Sequence, residues 1–142
     1  MPSSRSLLIL LLILPALNVQ AAPKPGLWNL TVTVTAEGAA QPYGPYTQNQ
    51  CFNQNDMRKP EKLLANIGAP DCSYGNVQDR GNRLTFDVQC GGTIPMSGSG
   101  NVNYTADTFQ GQVDITADLE GLAIATHSQV SGVRTGDCPA GQ

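Results

Sequence analysis

Three antiparallel strands predicted between Asn101 and Arg134 constrain this chain more than any other feature. Two short turns, at residues 106–107 and 120–121, divide the stretch, and each turn sets the pairing of its flanking strands. Because strand side chains alternate between faces, one face becomes apolar and the other polar. A one-residue slip at either turn would mix these faces. The predicted opposed pairs are Tyr104 with Phe109, Val102 with Gly111, Leu119 with Leu122, Ala117 with Ile124, and Gly111 with Val130.

The first 21 residues have the pattern of a secretory signal peptide. Arg5 provides the positive start, residues 7–14 form an unbroken apolar run, and residues 19–21 fit the small-x-small cleavage rule. The apolar run is too short to span a bilayer as a helix. We therefore expect Met1–Ala21 to be removed, leaving a periplasmic or secreted chain that starts at Ala22 and has no integral membrane segment.

The remaining residues 22–142 are expected to form one exported, β-rich domain. Arg5 is one of 8 basic residues, so this domain has 7 basic against 11 acidic side chains. The basic residues are scattered, and a nucleic-acid role needs a basic face. We therefore expect no nucleic-acid partner.

Period-two alternation predicts further strands on both sides of a short helical stretch. Leu27–Thr35 alternates most clearly, and Tyr46–Phe52 is a polar segment expected at a sheet edge. Cys72–Gln78 and Arg83–Cys90 are expected to form a hairpin. The fold class predicted from this order is mainly β: an antiparallel, strongly curved sheet or incomplete up-and-down barrel with one short helix.

The stretch Asn53–Ile67 is the best candidate for that helix. Asn53 or Asn55 can cap its start, and apolar residues recur at helical spacing near its end. Pro60 suits a first helical turn and breaks an interior. The alternative is therefore a loose turn at Asn55–Arg58 followed by a helix over Pro60–Asn66.

Four cysteines in an exported chain predict two disulfides. Three pairings are open to the sequence. We favour Cys51–Cys72, which would pin the helical stretch, together with Cys90–Cys138, which would hold the C-terminal tail. The main rival pairs Cys72 with Cys90 across the predicted hairpin, and such cross-strand bonds are geometrically demanding.

Several segments together resemble a known family of small exported bacterial proteins, the domain-of-unknown-function family numbered 3617. The segments are Lys24–Trp28 opening a Thr/Val strand, Thr47–Cys51 before the helical stretch, and the closing Gly136–Cys138. The resemblance covers nearly all of the chain after residue 21. It implies an exported bacterial β-protein and supplies no reaction and no catalytic residues.

Residues with catalytic or metal-binding chemistry are sparse. His127 is the single histidine and is expected on a polar strand face near Asp114, where it has no predicted cleft. Asp114 and Asp118 share that face, and a solvated acidic surface explains them better than a Ca²⁺ site. We therefore assign no catalytic, cofactor or metal residues and expect a protein that is not an enzyme.

Two functional hypotheses follow. The first is a binding or interaction protein that engages an unknown protein partner through sheet edges, with Tyr43 and Tyr46 as the candidate surface. The second is a carrier of a small apolar ligand held between the curved sheet and the helix. Trp28 could stack on such a ligand, but its alternation with three aliphatic residues favours a core role. A cavity larger than the core side chains can fill would favour the carrier.

Overall fold

A computed structural model of the chain describes residues 22–59, 62–64 and 71–140. The predicted signal peptide lies outside these residues. Strands account for most of the described chain, and one helix has both of its ends within the described residues. The elements are β1 (Gly26–Ala36), β2 (Tyr43–Phe52), α1 (Gln54–Arg58), β3 (Cys72–Asp79), β4 (Arg83–Cys90), β5 (Met96–Tyr104), β6 (Thr108–Leu119) and β7 (Leu122–Gly136).

All seven strands belong to one antiparallel sheet with the order β2-β1-β7-β6-β5-β4-β3. The strands β2 and β3 lie at its two ends. No backbone pairing joins those ends within the described residues, so the sheet is open. The predicted mainly-β antiparallel fold is confirmed, and so is the expected edge position of β2.

The register of β5, β6 and β7 confirms the pairs predicted from the two turns. Tyr104 lies opposite Phe109, Gly111 opposite Val130, and Leu119 opposite Leu122, with the other predicted pairs also in place. The connection between β5 and β6 is three residues long and that between β6 and β7 is two, so each leaves little freedom in how the strands align.

The first strand completes the sheet through contacts that are distant in sequence. Thr31 of β1 pairs with Thr47 of β2 on one side and with Ser131 of β7 on the other. The lead-in before β1 is also fixed, because the Lys24 amide donates to the Ala106 carbonyl at 2.9 Å. This places the start of the described chain beside the β5–β6 turn.

Helical structure follows β2, as the sequence predicts. The Asn53 side chain caps α1 by accepting hydrogen bonds from the backbone amides of Asn55 and Asp56, and the Asp56 carboxylate accepts one from the Asn53 amide. The segment at residues 55–58 is therefore helical and not the loose turn of the alternative. However, α1 ends at Arg58 and Lys59 is extended, so the expected single helix over Asn53–Ile67 is divided, as the alternative predicted. Residues 62–64 are also helical, while Pro60 lies outside the described residues. Within the described chain, the helical segments are too short and too polar to cross a membrane.

The disulfides join Cys51 to Cys138 and Cys72 to Cys90, so the predicted pairing Cys51–Cys72 with Cys90–Cys138 is wrong. Strand order explains the error. Cys51 lies in β2 and Cys72 in β3, at opposite ends of the sheet. Cys90 ends β4, which β5 and β6 separate from β7 and the C-terminal tail.

The bond between Cys51 and Cys138 passes over the start of β1. Leu27 pairs with Cys51 on one side and with Gly136 on the other. Two further residues carry the tail across β1, which leaves the two cysteine Cα atoms 5.5 Å apart. This separation is within the usual range for a disulfide.

The bond between Cys72 and Cys90 joins residues that lie directly opposite each other in the β3–β4 hairpin. The Gly91 amide donates to the Asp71 carbonyl at 3.0 Å. That bond identifies the cysteines as a non-hydrogen-bonded pair, the position at which opposed Cα atoms approach most closely. The register of the β3–β4 hairpin therefore brings Cys72 and Cys90 close enough to form a cross-strand disulfide.

Candidate ligand-binding site

An apolar cavity of about 370 Å³ lies on the inner face of the sheet, the face that carries Trp28 and Phe86. Every strand contributes to its lining, and so do both helical segments. Aliphatic, aromatic and sulfur-containing side chains make up most of the wall. They include Val32, Phe52, Met57, Leu63, Leu64, Leu84, Val88, Met96, Val102, Phe109, Val113, Ile115 and Val130.

Two aromatic rings lie flat against the inner face because glycines oppose them. The Phe109 ring occupies the space where a side chain on Gly132 would stand, and the Phe86 ring does the same at Gly100. Rings in this position cover the backbone of the neighbouring strand. They therefore fill less of the space above the sheet, and the cavity remains there.

The helical segments close the cavity on the side away from the sheet. Met57 of α1 and Leu63 pack against the cluster of Trp28, Phe52 and their neighbours. Leu64 is buried against a second cluster that contains Leu84 and Phe86. The cavity thus lies between the curved sheet and the helical stretch, where the carrier hypothesis places a ligand.

One end of the cavity is polar. The Tyr104 hydroxyl, at the end of β5, donates a hydrogen bond to Asp79 Oδ1, at the end of β3, over 2.5 Å. The same carboxylate oxygen accepts a bond from the Gly81 amide at 2.9 Å, which stabilises the β3–β4 turn. Ala22 and Pro23 also line the cavity.

The tyrosines of the lining are neutral at physiological pH. Burial, followed by the hydrogen bond and negative charge of Asp79, raises the pKa of the Tyr104 phenol well above its usual value. Burial also raises the pKa of the Tyr74 phenol, and its ring packs edge-on against Phe86. Among the described lining residues, Ser128 adds a hydroxyl group. Asp79 is therefore the one carboxylate among the described lining residues, and no Lys, Arg or His accompanies it.

A second, polar cavity of about 620 Å³ lies on the outer face of the sheet. Its lining consists mainly of two rows of amide and hydroxyl side chains that run across the strands. One row contains Asn101, Gln112, Gln129 and Thr33, and the other contains Asn103, Gln110, Ser131 and Thr31, with Arg83 at the side of the groove.

His127 lies where the sequence predicts, on the outer face opposite Asp114. The His127 Nδ1 atom and Asp114 Oδ1 are 2.6 Å apart, and both side chains are solvent-accessible. Neither residue lines either of the two cavities. The pair is therefore an exposed strand contact away from the candidate site.

Asp118, one of the two carboxylates considered for a Ca²⁺ site, stabilises a turn. Its Oδ1 atom accepts a hydrogen bond from the Gly121 amide at 2.8 Å. Within the described chain, no group of three or more His, Cys, Asp or Glu side chains is arranged to hold a metal ion.

The predicted interaction surface is exposed on the edge strand β2. Tyr43 and Tyr46 have 55% and 61% of their surface accessible. They pair with Val34 and Val32, so they lie on the inner side of the sheet, but neither lines the cavity. Trp28, by contrast, is buried in the core and lines the cavity at the same time.

The pair of Asp79 and Tyr104 was not predicted from the sequence. These residues are 25 positions apart and belong to strands separated by β4. Their only signals were local, since Asp79 precedes a Gly-containing turn and Tyr104 ends a strand. Neither signal places the two side chains together without the order of three strands.

The fold and cavity define a class of protein: an open antiparallel sheet that curves around an apolar cavity. The chain belongs to the family described as protein of unknown function (DUF3617), whose model matches residues 23–138. No curated protein and no solved structure matches the chain.

Proposed function

We propose that this protein is an extracytoplasmic carrier that binds one small apolar molecule between the curved sheet and the helical stretch. The observation that supports this most strongly is the apolar cavity of about 370 Å³. Ligand sites of this kind have volumes of about 300–1,000 Å³ and mostly apolar walls with few polar groups.

The size of the cavity sets the size of the ligand. A dry protein cavity of about 150 Å³ accepts one benzene molecule. By proportion, the present cavity accommodates a molecule of about 15 non-hydrogen atoms. A short alkyl chain or a compound of two fused rings fits this limit.

The proposed compartment rests on two observations. Residues 1–21 have the signal-peptide pattern, and the chain has two disulfides, which persist in oxidising compartments. A carrier outside the cytoplasm would keep a poorly water-soluble compound dispersed in aqueous surroundings.

Binding of a protein partner at β2 is the second candidate. The strand is an edge of the sheet, and Tyr43 and Tyr46 are the exposed aromatic residues on it. Edge strands offer unpaired backbone groups to an added strand. We rank this below the carrier because an open edge is common to open sheets, whereas an unfilled apolar cavity is not.

Titration with 1-aminoanthracene, a neutral apolar fluorophore that matches the size limit of the cavity, tests the carrier proposal. We expect saturable binding to one site per chain. Val113→Phe directs a ring into the cavity and should abolish binding, while Gln112→Phe adds the same ring on the outer face and should preserve it. Ser128→Phe fills the cavity from the adjacent strand if Val113→Phe does not fold. Equal binding by the folded cavity variants and by Gln112→Phe would contradict the proposal.

A further inference from the structure

We infer that the ligand has an apolar body with one hydrogen-bond-donating head, an amine or a hydroxyl, which lies beside Asp79 and Tyr104. This inference rests on the proposed carrier function and adds the chemical class of the ligand. It excludes the simple carboxylates, such as fatty acids, as preferred ligands.

The charge of the cavity lining supports this class. Asp79 is the one acidic side chain among the described lining residues, and no basic side chain accompanies it there. The neighbouring wall has a low dielectric constant, so the field of that carboxylate is screened less than it would be in water. A cationic or donating head is attracted to this end of the cavity, and an anionic head is repelled.

The hydrogen bonds of the pair determine which group the ligand must provide. The Tyr104 proton is directed to Asp79 Oδ1, and the Gly81 amide also donates to that atom. The lone pairs of the Tyr104 oxygen and of Asp79 Oδ2 can therefore accept further bonds. A carboxylate has no proton to donate, whereas an ammonium group or an alcohol does.

The position of the pair supports a head group at this end. Asp79 is solvent-accessible and Tyr104 is half-buried, so the pair lies between the apolar interior and water. An amphipathic molecule can place its body among Trp28, Phe86 and their neighbours while its head keeps polar contacts.

Three probes with the same alkyl chain and different heads test the inference. Decylamine, decanol and decanoate are used to displace 1-aminoanthracene from the mature protein at neutral pH, each below its micelle concentration. We expect decylamine to bind about tenfold more tightly than decanoate, the effect of one hydrogen bond to a charged group at a partly solvated site. Decanol should fall between them.

The variant Asp79→Asn removes the charge and keeps the shape of the side chain. It should weaken decylamine binding about tenfold and remove the preference over decanoate. Asp118→Asn is the matched control, because Asp118 also accepts a bond from a turn glycine but lies outside the cavity. Asp118→Asn should leave the affinities of all three probes unchanged.

The new amino group at Ala22 needs its own control, since cleavage after Ala21 would place a positive charge on a residue that lines the cavity. The displacement series is repeated with an N-terminally acetylated chain, and the order of the three probes should persist. An order that depends on acetylation would overturn the assignment to Asp79.

The remaining outcomes separate the inference from the proposed function. If none of the probes and no fluorophore binds, the carrier proposal fails and the inference fails with it. If the fluorophore binds and decanoate matches or exceeds decylamine, the carrier proposal stands and the inference is overturned. A decylamine preference that survives Asp79→Asn would also overturn it.

Discussion

The two faces of the sheet are built from the same strands but have different cavities, a polar one on the outer face and an apolar one on the inner face. The outer face has amide and hydroxyl side chains in two rows, and its groove is open to water. The inner face has large apolar side chains, yet a cavity remains among them because glycines let Phe86 and Phe109 lie flat. The comparison shows that alternation decides which face is apolar, whereas residue size along that face decides whether it is filled.

The largest expected effects on stability are those of removing each disulfide, one of which lines the cavity on the inner face while the other does not. Replacing Cys51 and Cys138 together with alanine should lower the free energy of unfolding by about 4–5 kcal/mol, because the closed loop spans 87 residues. Replacing Cys72 and Cys90 should cost about 3 kcal/mol, since that loop spans 18 residues. Urea unfolding followed by circular dichroism measures both changes.

Ligand binding should distinguish the same two pairs. Cys72 and Cys90 line the cavity, and Cys51 and Cys138 do not. Replacing Cys72 and Cys90 should therefore weaken fluorophore binding. Replacing Cys51 and Cys138 should leave it unchanged below the unfolding transition. Peptide mapping without reduction checks the pairing itself, and a Cys51–Cys72 peptide would contradict it.

Replacing the largest fully buried side chain of the inner face should also be strongly destabilising. Trp28 is 1% exposed, and its Nε1 atom donates to the Lys24 carbonyl. We expect Trp28→Ala to lower the free energy of unfolding by about 3–5 kcal/mol. Thr31→Ala is the control on the outer face of the same strand and should change it by less than about 0.5 kcal/mol. Similar changes in the free energy of unfolding for Trp28→Ala and Thr31→Ala would mean that the inner face does not contribute more to stability than the outer face.

Adding a side chain at a glycine of the inner face should have an intermediate effect on stability. A methyl group at Gly132 would collide with the Phe109 ring. We expect Gly132→Ala to destabilise the protein by about 1–3 kcal/mol through overpacking. Gly75 in β3 has open space at the same position and a negative φ, so Gly75→Ala should not destabilise the protein. A tolerated Gly132→Ala would mean that the ring moves readily and that the cavity is adaptable.

The smallest expected effect is that of His127→Ala on the outer face. The contact with Asp114 is an exposed pair, and such pairs contribute about 0–1 kcal/mol. Thermal unfolding and fluorophore binding should both be nearly unchanged. A loss of biological activity with an unaltered melting curve would instead give His127 a catalytic or metal-binding role.

The register of β5, β6 and β7, which local sequence determines, was predicted correctly. The pairs across the two short turns of β5, β6 and β7 are all present, because a tight turn and an alternating pattern together fix the register. The Asn53 cap was also among the predicted caps, and it depends only on the next three residues.

The parts that depend on distant pairing were not predictable in the same way. The contact between β1 and β7 joins residues such as Thr31 and Ser131, and no local turn determines it. Without that contact the sequence could not show that Cys51 meets Cys138. The pair of Asp79 and Tyr104 and the volume of the cavity likewise follow from strand order and curvature, which alternation does not contain.

Native mass spectrometry of the protein purified from its own compartment tests the central claim most directly. The account predicts a chain with both disulfides that retains one small, non-protein molecule. It also predicts that the Val113→Phe variant, prepared in the same way, has the mass of the chain alone. A wild-type chain of bare mass, or one that retains only a protein partner, would contradict the carrier and favour an interaction surface at β2.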